Sequence, residues 1–220
     1  MPEPARRWLT RAIAPGALLA RAVIVEMEGH IRIGRWLSFR AFQLHAPPDG
    51  YVWVARAALG PLRISGFDRY AENTGQMRWR LFGHLPLISA AGPVLDRSAA
   101  GGVALDAVFV PAAFLTPAVT WSDGPSPDTV TAEWRVGGHI LRPVLRIGPD
   151  GAIRSVTMAR WGNPGNNPWG DYPCGGTLDE DTDFGGIKIP TRIRAGYFFG
   201  TSRWEQGEFF RAQITSATFI

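Results

Sequence analysis

Apolar and polar residues alternate over 22–33. Val23, Val25, Met27, Ile31 and Ile33 fall on one face of a strand, and Glu26, Glu28, His30 and Arg32 on the other. Gly29 interrupts the run and predicts a bulge or a sharp bend. The same period of two recurs over 39–44 and 51–57, on either side of the turn sequence Pro47-Pro48-Asp49-Gly50. Residues 62–67 and 76–82 predict two more strands, the second with Met77, Trp79 and Leu81 opposite Arg78 and Arg80. The pattern resumes over 118–121, 129–136, 140–147 and 153–161, the last two joined by Pro149-Asp150-Gly151. Residues 187–197 and 209–219 predict a closing hairpin. In its second strand Phe209, Ala217 and Phe219 share one face and Phe210, Ala212 and Ile214 the other. Apolar residues on both faces predict cover on both faces.

Two stretches follow a helical period instead. Over 4–13, Trp8, Leu9 and Ala12 share a face and Pro15-Gly16 stops the helix. Near residues 96–110, Ser98, Ala99, Ala100, Val103, Ala104, Ala107 and Val108 recur at helical spacing until Pro111, across Gly101-Gly102. About ten or eleven strands with two helices predict a mainly β (α+β) protein whose large antiparallel sheet curves around its contents.

Composition narrows the picture. The 220 residues, 45% of them apolar, carry no repeat and no linker, so 1–220 reads as a single domain. The lone Cys174 excludes an internal disulfide, and Tyr-Pro-Cys-Gly-Gly reads as an exposed turn. Net charge is +4, with Lys188 the one lysine among 23 basic residues. The arginines are spread over strand faces without a docking motif, so no nucleic-acid partner is expected. Arg6-Arg7-Trp8-Leu9 resembles a twin-arginine export signal, but Arg11 and Pro15-Gly16 interrupt the apolar stretch. A cytoplasmic location is therefore expected, with export as the alternative. No 18-residue apolar run exists, so no membrane span is predicted.

Nine tryptophans are many for this length. On a concave sheet they offer a wide apolar surface with indole N–H handles, which suits a small-molecule pocket. Trp8 and Trp134 are assigned to the core. Trp36, Phe39, Trp53, Trp79, Trp161, Tyr197 and Trp204 are the candidates for ligand binding. No nucleophile elbow, zinc motif, phosphate loop or dinucleotide fingerprint occurs. His30, His45, His84 and His139 lack ligand spacing, so neither a metal nor another cofactor is expected. The run Asp179-Glu180-Asp181-Thr182-Asp183 is no calcium loop: Phe184 stands where glycine is needed and Pro190 where glutamate is. It reads as a solvated acidic turn. Asp68, Asp106 and Glu208 lie in apolar surroundings and need partners if buried, for which Arg160, Arg203 and Arg211 are available. If the protein is an enzyme, Asp68 with Tyr70 nearby supplies the acid or base, and Arg160 stabilises charge.

Several segments together resemble the bacterial family called domain of unknown function 6544. They are Arg7-Trp8-Leu9, Trp36-Leu37-Ser38-Phe39, Gly50-Tyr51-Val52-Trp53-Val54-Ala55, Asp68-Arg69-Tyr70, Arg97-Ser98-Ala99-Ala100-Gly101 and Arg160-Trp161-Gly162. Phe184-Gly185-Gly186 and the closing Gly200-Thr201, Arg203-Trp204 and Gly207-Glu208-Phe209-Phe210-Arg211 complete the series. The chain departs from the family pattern at Gly102, Asp106 and Tyr197. The resemblance implies a fold like the lipoprotein carriers of the LolA and LolB kind: an open half-barrel closed by helices, with a concave cavity that takes acyl chains. The expected function is binding of a hydrophobic small molecule or lipid, as carrier or sensor. The alternative is a cofactor-independent cyclase, isomerase or hydrolase using the same cavity.

Overall fold

The computed structural model describes residues 1–165 and 167–220. Helix α1 (Glu3–Ala12) precedes a meander of six strands: β1 (Val23–Ile33), β2 (Arg35–Ala46), β3 (Gly50–Leu59), β4 (Leu62–Ala71), β5 (Thr74–Leu81) and β6 (Leu85–Ala91). Helix α2 (Pro93–Asp106) and two short 3-10 turns lead to β7 (Thr120–Asp123), β8 (Thr129–Val136), β9 (His139–Leu141), β10 (Val144–Ile147) and β11 (Ile153–Gly162). Then come β12 (Gly170–Asp183), β13 (Lys188–Tyr197), the single turn α3 (Trp204–Gly207) and β14 (Glu208–Phe219). All pair antiparallel in one sheet, in the order β6-β5-β4-β3-β2-β1-β14-β13-β12-β11-β10-β8-β7, with β9 on β8. Strands β6 and β7 are the two edges and do not meet, so the sheet is an open half-barrel.

Helix α2 touches β3, β4, β5 and β6 in one arm of the sheet and β8, β9 and β11 in the other. A helix that touches both arms lies within the concavity. Every residue from Ser98 to Leu105 is buried, which explains the composition of small and apolar residues all round the helix rather than one apolar stripe. Helix α1 packs on the C-terminal arm: Trp8 meets Phe114 edge-on at 4.9 Å, and Phe114 meets Trp134 at 4.9 Å. Trp8 and Trp134 are core residues, as expected.

Several features depart from the sequence pattern. The expected strand over 140–147 breaks into β9 and β10 around Pro143, which cannot donate to a ladder. Strands β6 and β12 were not foreseen. Cys174 is not in an exposed turn but is buried at the middle of β12, and the acidic run 179–183 is the outer end of that strand, opposite Lys188 and Arg192. Gly29 carries no register shift. The irregularity lies between Glu26 and Met27, where β14 holds Thr215 as an extra residue. That bulge reverses the parity of β14. Phe210, Ala212 and Ile214 pair with inward-facing positions of β1, and beyond the bulge Ala217 and Phe219 pair with the buried Val25 and Val23. The apolar residues of β14 thus share the inner face, and the second layer of cover expected from the sequence is not needed.

The C-terminal arm bends where glycines allow neighbouring backbones to close in. A Cβ on Gly175 would lie 2.7 Å from Thr157 Cα, one on Gly176 2.9 Å from Ala195 Cα, and one on Gly196 2.6 Å from Glu208 Cα. No side chain can occupy such positions without separating the strands.

Candidate functional site

Between α2 and the concave face lies a cavity of about 350 Å³. Its walls come from both arms: Met27 and Ile31 of β1, Trp53 of β3, Met77 of β5, Ile193 of β13 and Phe210 of β14, with Leu105 and Phe109 above them. These inward positions follow from strand parity, which places Tyr51 and Trp53 on the inner face of β3 beside Asp68 of β4. Behind the lining, Phe39 stacks on Phe210 at 5.2 Å and meets Trp53 edge-on at 5.8 Å. The aromatic rings on this inner face are therefore held by each other.

A few polar groups face the cavity. Arg160 lies under α2 with its side-chain stem against Gly101, where a Cβ would come within 2.9 Å of Arg160 Cγ. Its Nε donates to the Ser98 carbonyl at 3.1 Å, which takes up one of the backbone acceptors of the helix. Burial works against the charge of Arg160, but Tyr197, Cys174, Tyr51 and Asp106 outweigh it, so the guanidinium stays protonated. Asp68 accepts from the Trp79 indole at 2.8 Å. Burial nevertheless raises its carboxyl to about 6, against the pull of that hydrogen bond and of Arg160. Asp106 accepts from Gln43 Nε2 at 2.9 Å. Burial pushes the Cys174 thiol up, so it is not a ready nucleophile. Beside this group His45 is fully buried, and burial holds it down to about 4, so it is neutral near pH 7.

Of the residues singled out in the sequence, Asp68, Arg160, Trp53 and Tyr197 meet at the cavity. The indole N–H of Trp53 is buried and finds no protein acceptor among the described residues. Phe39 and Trp79 stand behind the wall and support it. Tyr70 does not reach the cavity: it is buried with its hydroxyl beside Gly137, in the turn between β8 and β9. Trp36 faces outward, between Arg211 at 4.5 Å and Arg32 at 5.6 Å. Trp204 sits in α3 against Phe199. Trp161 stacks on Trp169 at 6.4 Å, and it is Trp169 that borders the cavity. The sequence reading did not select Tyr51, Gln43 or Phe210. For Tyr51 the signal was present, since it shares the parity of Trp53.

The buried acids find partners, though not always those expected. Glu208 is bound by Arg211 (2.6 Å) and by Arg194 (2.7 Å). Burial acts to raise its carboxyl, but the hydrogen bonds from the two arginines outweigh that and hold it down at about 2.

No curated protein matches the chain. Among solved structures, the chain is similar to a crystallised domain from Vibrio parahaemolyticus assigned to outer membrane lipoprotein sorting. The two are 10% identical with a TM-score of 0.42, over 99% of this chain and 91% of that one. A family model matches residues 1–209, and the chain belongs to that family, the family of unknown function DUF6544.

Proposed function

We propose that the protein binds a hydrophobic small molecule or lipid-like ligand in the cavity beneath α2, as a carrier or sensor. The observation that carries this reading is the cavity itself, lined by mainly apolar walls and of a volume typical of small-molecule sites. Arg160 and Tyr51 supply hydrogen-bond donors for the polar end of such a ligand. Native mass spectrometry of the purified protein is expected to show a co-purified apolar molecule. Titration of the emptied protein with fatty acids and isoprenoids should quench the Trp53 emission, and Ala195→Phe, which fills part of the cavity, should weaken that binding. A protein that is always empty and ignores the whole panel would end this reading.

A second reading, a cofactor-independent enzyme, is favoured by the place of Asp68 at the cavity wall, where burial raises its carboxyl to about 6, in the range suited to proton transfer. Its test is turnover of a bound ligand that Asp68→Asn abolishes while binding and melting temperature are kept.

A further inference from the structure

The two ends of the N-terminal meander differ in chemistry. Hairpins β1–β2, β3–β4 and β5–β6 turn at one end, and β2–β3 and β4–β5 at the other. The second set is polar, with Asp49 and Glu72 in its turns. The first set exposes large apolar side chains: Phe82, Leu85 and Leu87 are each 50% exposed, and Ile33, Leu59 and Leu62 extend the row. The hairpins are neighbours, since the Phe82 N–H donates to the Arg63 carbonyl at 2.7 Å. Successive tips, two strands apart, stand about 10 Å from one another.

Arginines surround this row. Four arginines lie within three residues of these tips: Arg32 and Arg35 at β1–β2, Arg63 at β3–β4 and Arg80 at β5–β6. Among the described residues none of the four has a carboxylate partner, and Arg32 donates instead to the backbone carbonyls of Glu205 and Gln206. The arginines that look scattered along the sequence are thus gathered by the fold into an unneutralised collar behind an apolar edge.

We infer that this row of hairpin ends docks the protein on the surface of an anionic lipid bilayer. Apolar tips with a cationic collar match the two layers of such a surface, acyl chains beneath negative headgroups. A second copy of the chain matches it less well. A twofold contact would bring the two arginine collars together, and Pro86, with no N–H to give, blunts the β6 edge against strand addition. Among the described residues no helix is long and apolar enough to cross a membrane, and the contact is peripheral.

Sedimentation of the protein with vesicles tests the inference. Association is expected with phosphatidylcholine vesicles containing phosphatidylglycerol, much less with phosphatidylcholine alone, and it should fall as salt rises. Arg63→Gln and Arg80→Gln should each lower the partition about fivefold. Phe82→Ser or Leu85→Ser should lower it roughly tenfold, with near-ultraviolet circular dichroism unchanged. Wild-type protein that ignores the anionic vesicles, or that binds both kinds equally at any salt, overturns the proposal. So does a dimer by light scattering that Leu87→Ser dissolves. The vesicle and salt series on the wild type decides the matter even if a variant misfolds. Cavity binding is read separately by Trp53 quenching in the absence of vesicles, so either idea can fail while the other stands.

Discussion

The indole N–H of Trp79 donates to Asp68 Oδ1 at 2.8 Å across neighbouring strands. This bond couples the neighbouring Trp79 to a cavity carboxylate, and it partly offsets the cost of burying that group. Trp79→Phe keeps most of the apolar volume and removes the donor. Asp68 should then titrate above its present value of about 6, and the fold should lose roughly 1–3 kcal/mol. Carbon-detected titration of the carboxyl together with a thermal melt checks both effects.

Two buried groups titrate in opposite senses over the same acid range. Asp68 is raised from 3.8 to about 6, so its contribution to stability is complete below about pH 4 and is lost as pH rises through 6. His45 is lowered from 6.5 to about 4, so its contribution is complete above about pH 6.5 and is lost as pH falls through 4. Each shift corresponds to about 3 kcal/mol, and between pH 4 and 6 they largely cancel. Asp68→Asn should therefore uncover a loss of stability on acidification, and His45→Gln a gain. Urea midpoints measured from pH 4 to 7 should show two slopes of opposite sign.

Gly176 of β12 admits no side chain without pushing β13 away. Gly176→Val is expected to cost about 1–3 kcal/mol through this overlap. It should also flatten the C-terminal arm, so that the emission of Trp169 at the cavity border shifts to the red. An unchanged melting temperature and spectrum would show that the arm does not depend on this close approach.

Ending the chain at Gly207 removes β14 and leaves β1 and β13 each with one open edge at the middle of the sheet. It also removes the buried Ala212 and Ile214 and the cavity residue Phe210. Each large apolar side chain contributes roughly 1.5–3 kcal/mol, against a total margin of about 5–15 kcal/mol. The shortened protein should aggregate or melt without cooperativity. A monomer with a sharp transition would mean that the two arms stand independently.

Much of this architecture was legible because most strands have one wet and one dry face. β1, β2, β3, β5 and β8 announce themselves by alternation, and α1 by its apolar stripe and its Pro15-Gly16 stop. β6 has no such signal, since it is an edge strand with both faces exposed. β12 hides behind Gly175-Gly176 and its acidic end, where the residues that let it bend are those that read as a turn. The site was readable where side-chain parity alone decides, as for Trp53 and Asp68. It was not readable where a neighbour decides: Trp36 and Trp204 are aromatic yet turned away from the cavity, and Tyr70 is directed into a distant turn. Nor could one-dimensional spacing show that arginines from three hairpins would gather at one end.

The pairing of β1 with β14 has a temporal consequence. Val23 meets Phe219 across 196 positions of chain (219 minus 23), a closure whose entropic cost is about 5 kcal/mol and which no local contact can anticipate. The two arms are each stitched from near neighbours, but the seam between them is among the last to form. Met27 and Ile31 stand on one side of that seam and Phe210 on the other. The chamber therefore does not exist until β14 has been made and has joined β1. A ligand of the kind proposed would then enter a finished vessel rather than be wrapped as the vessel is made.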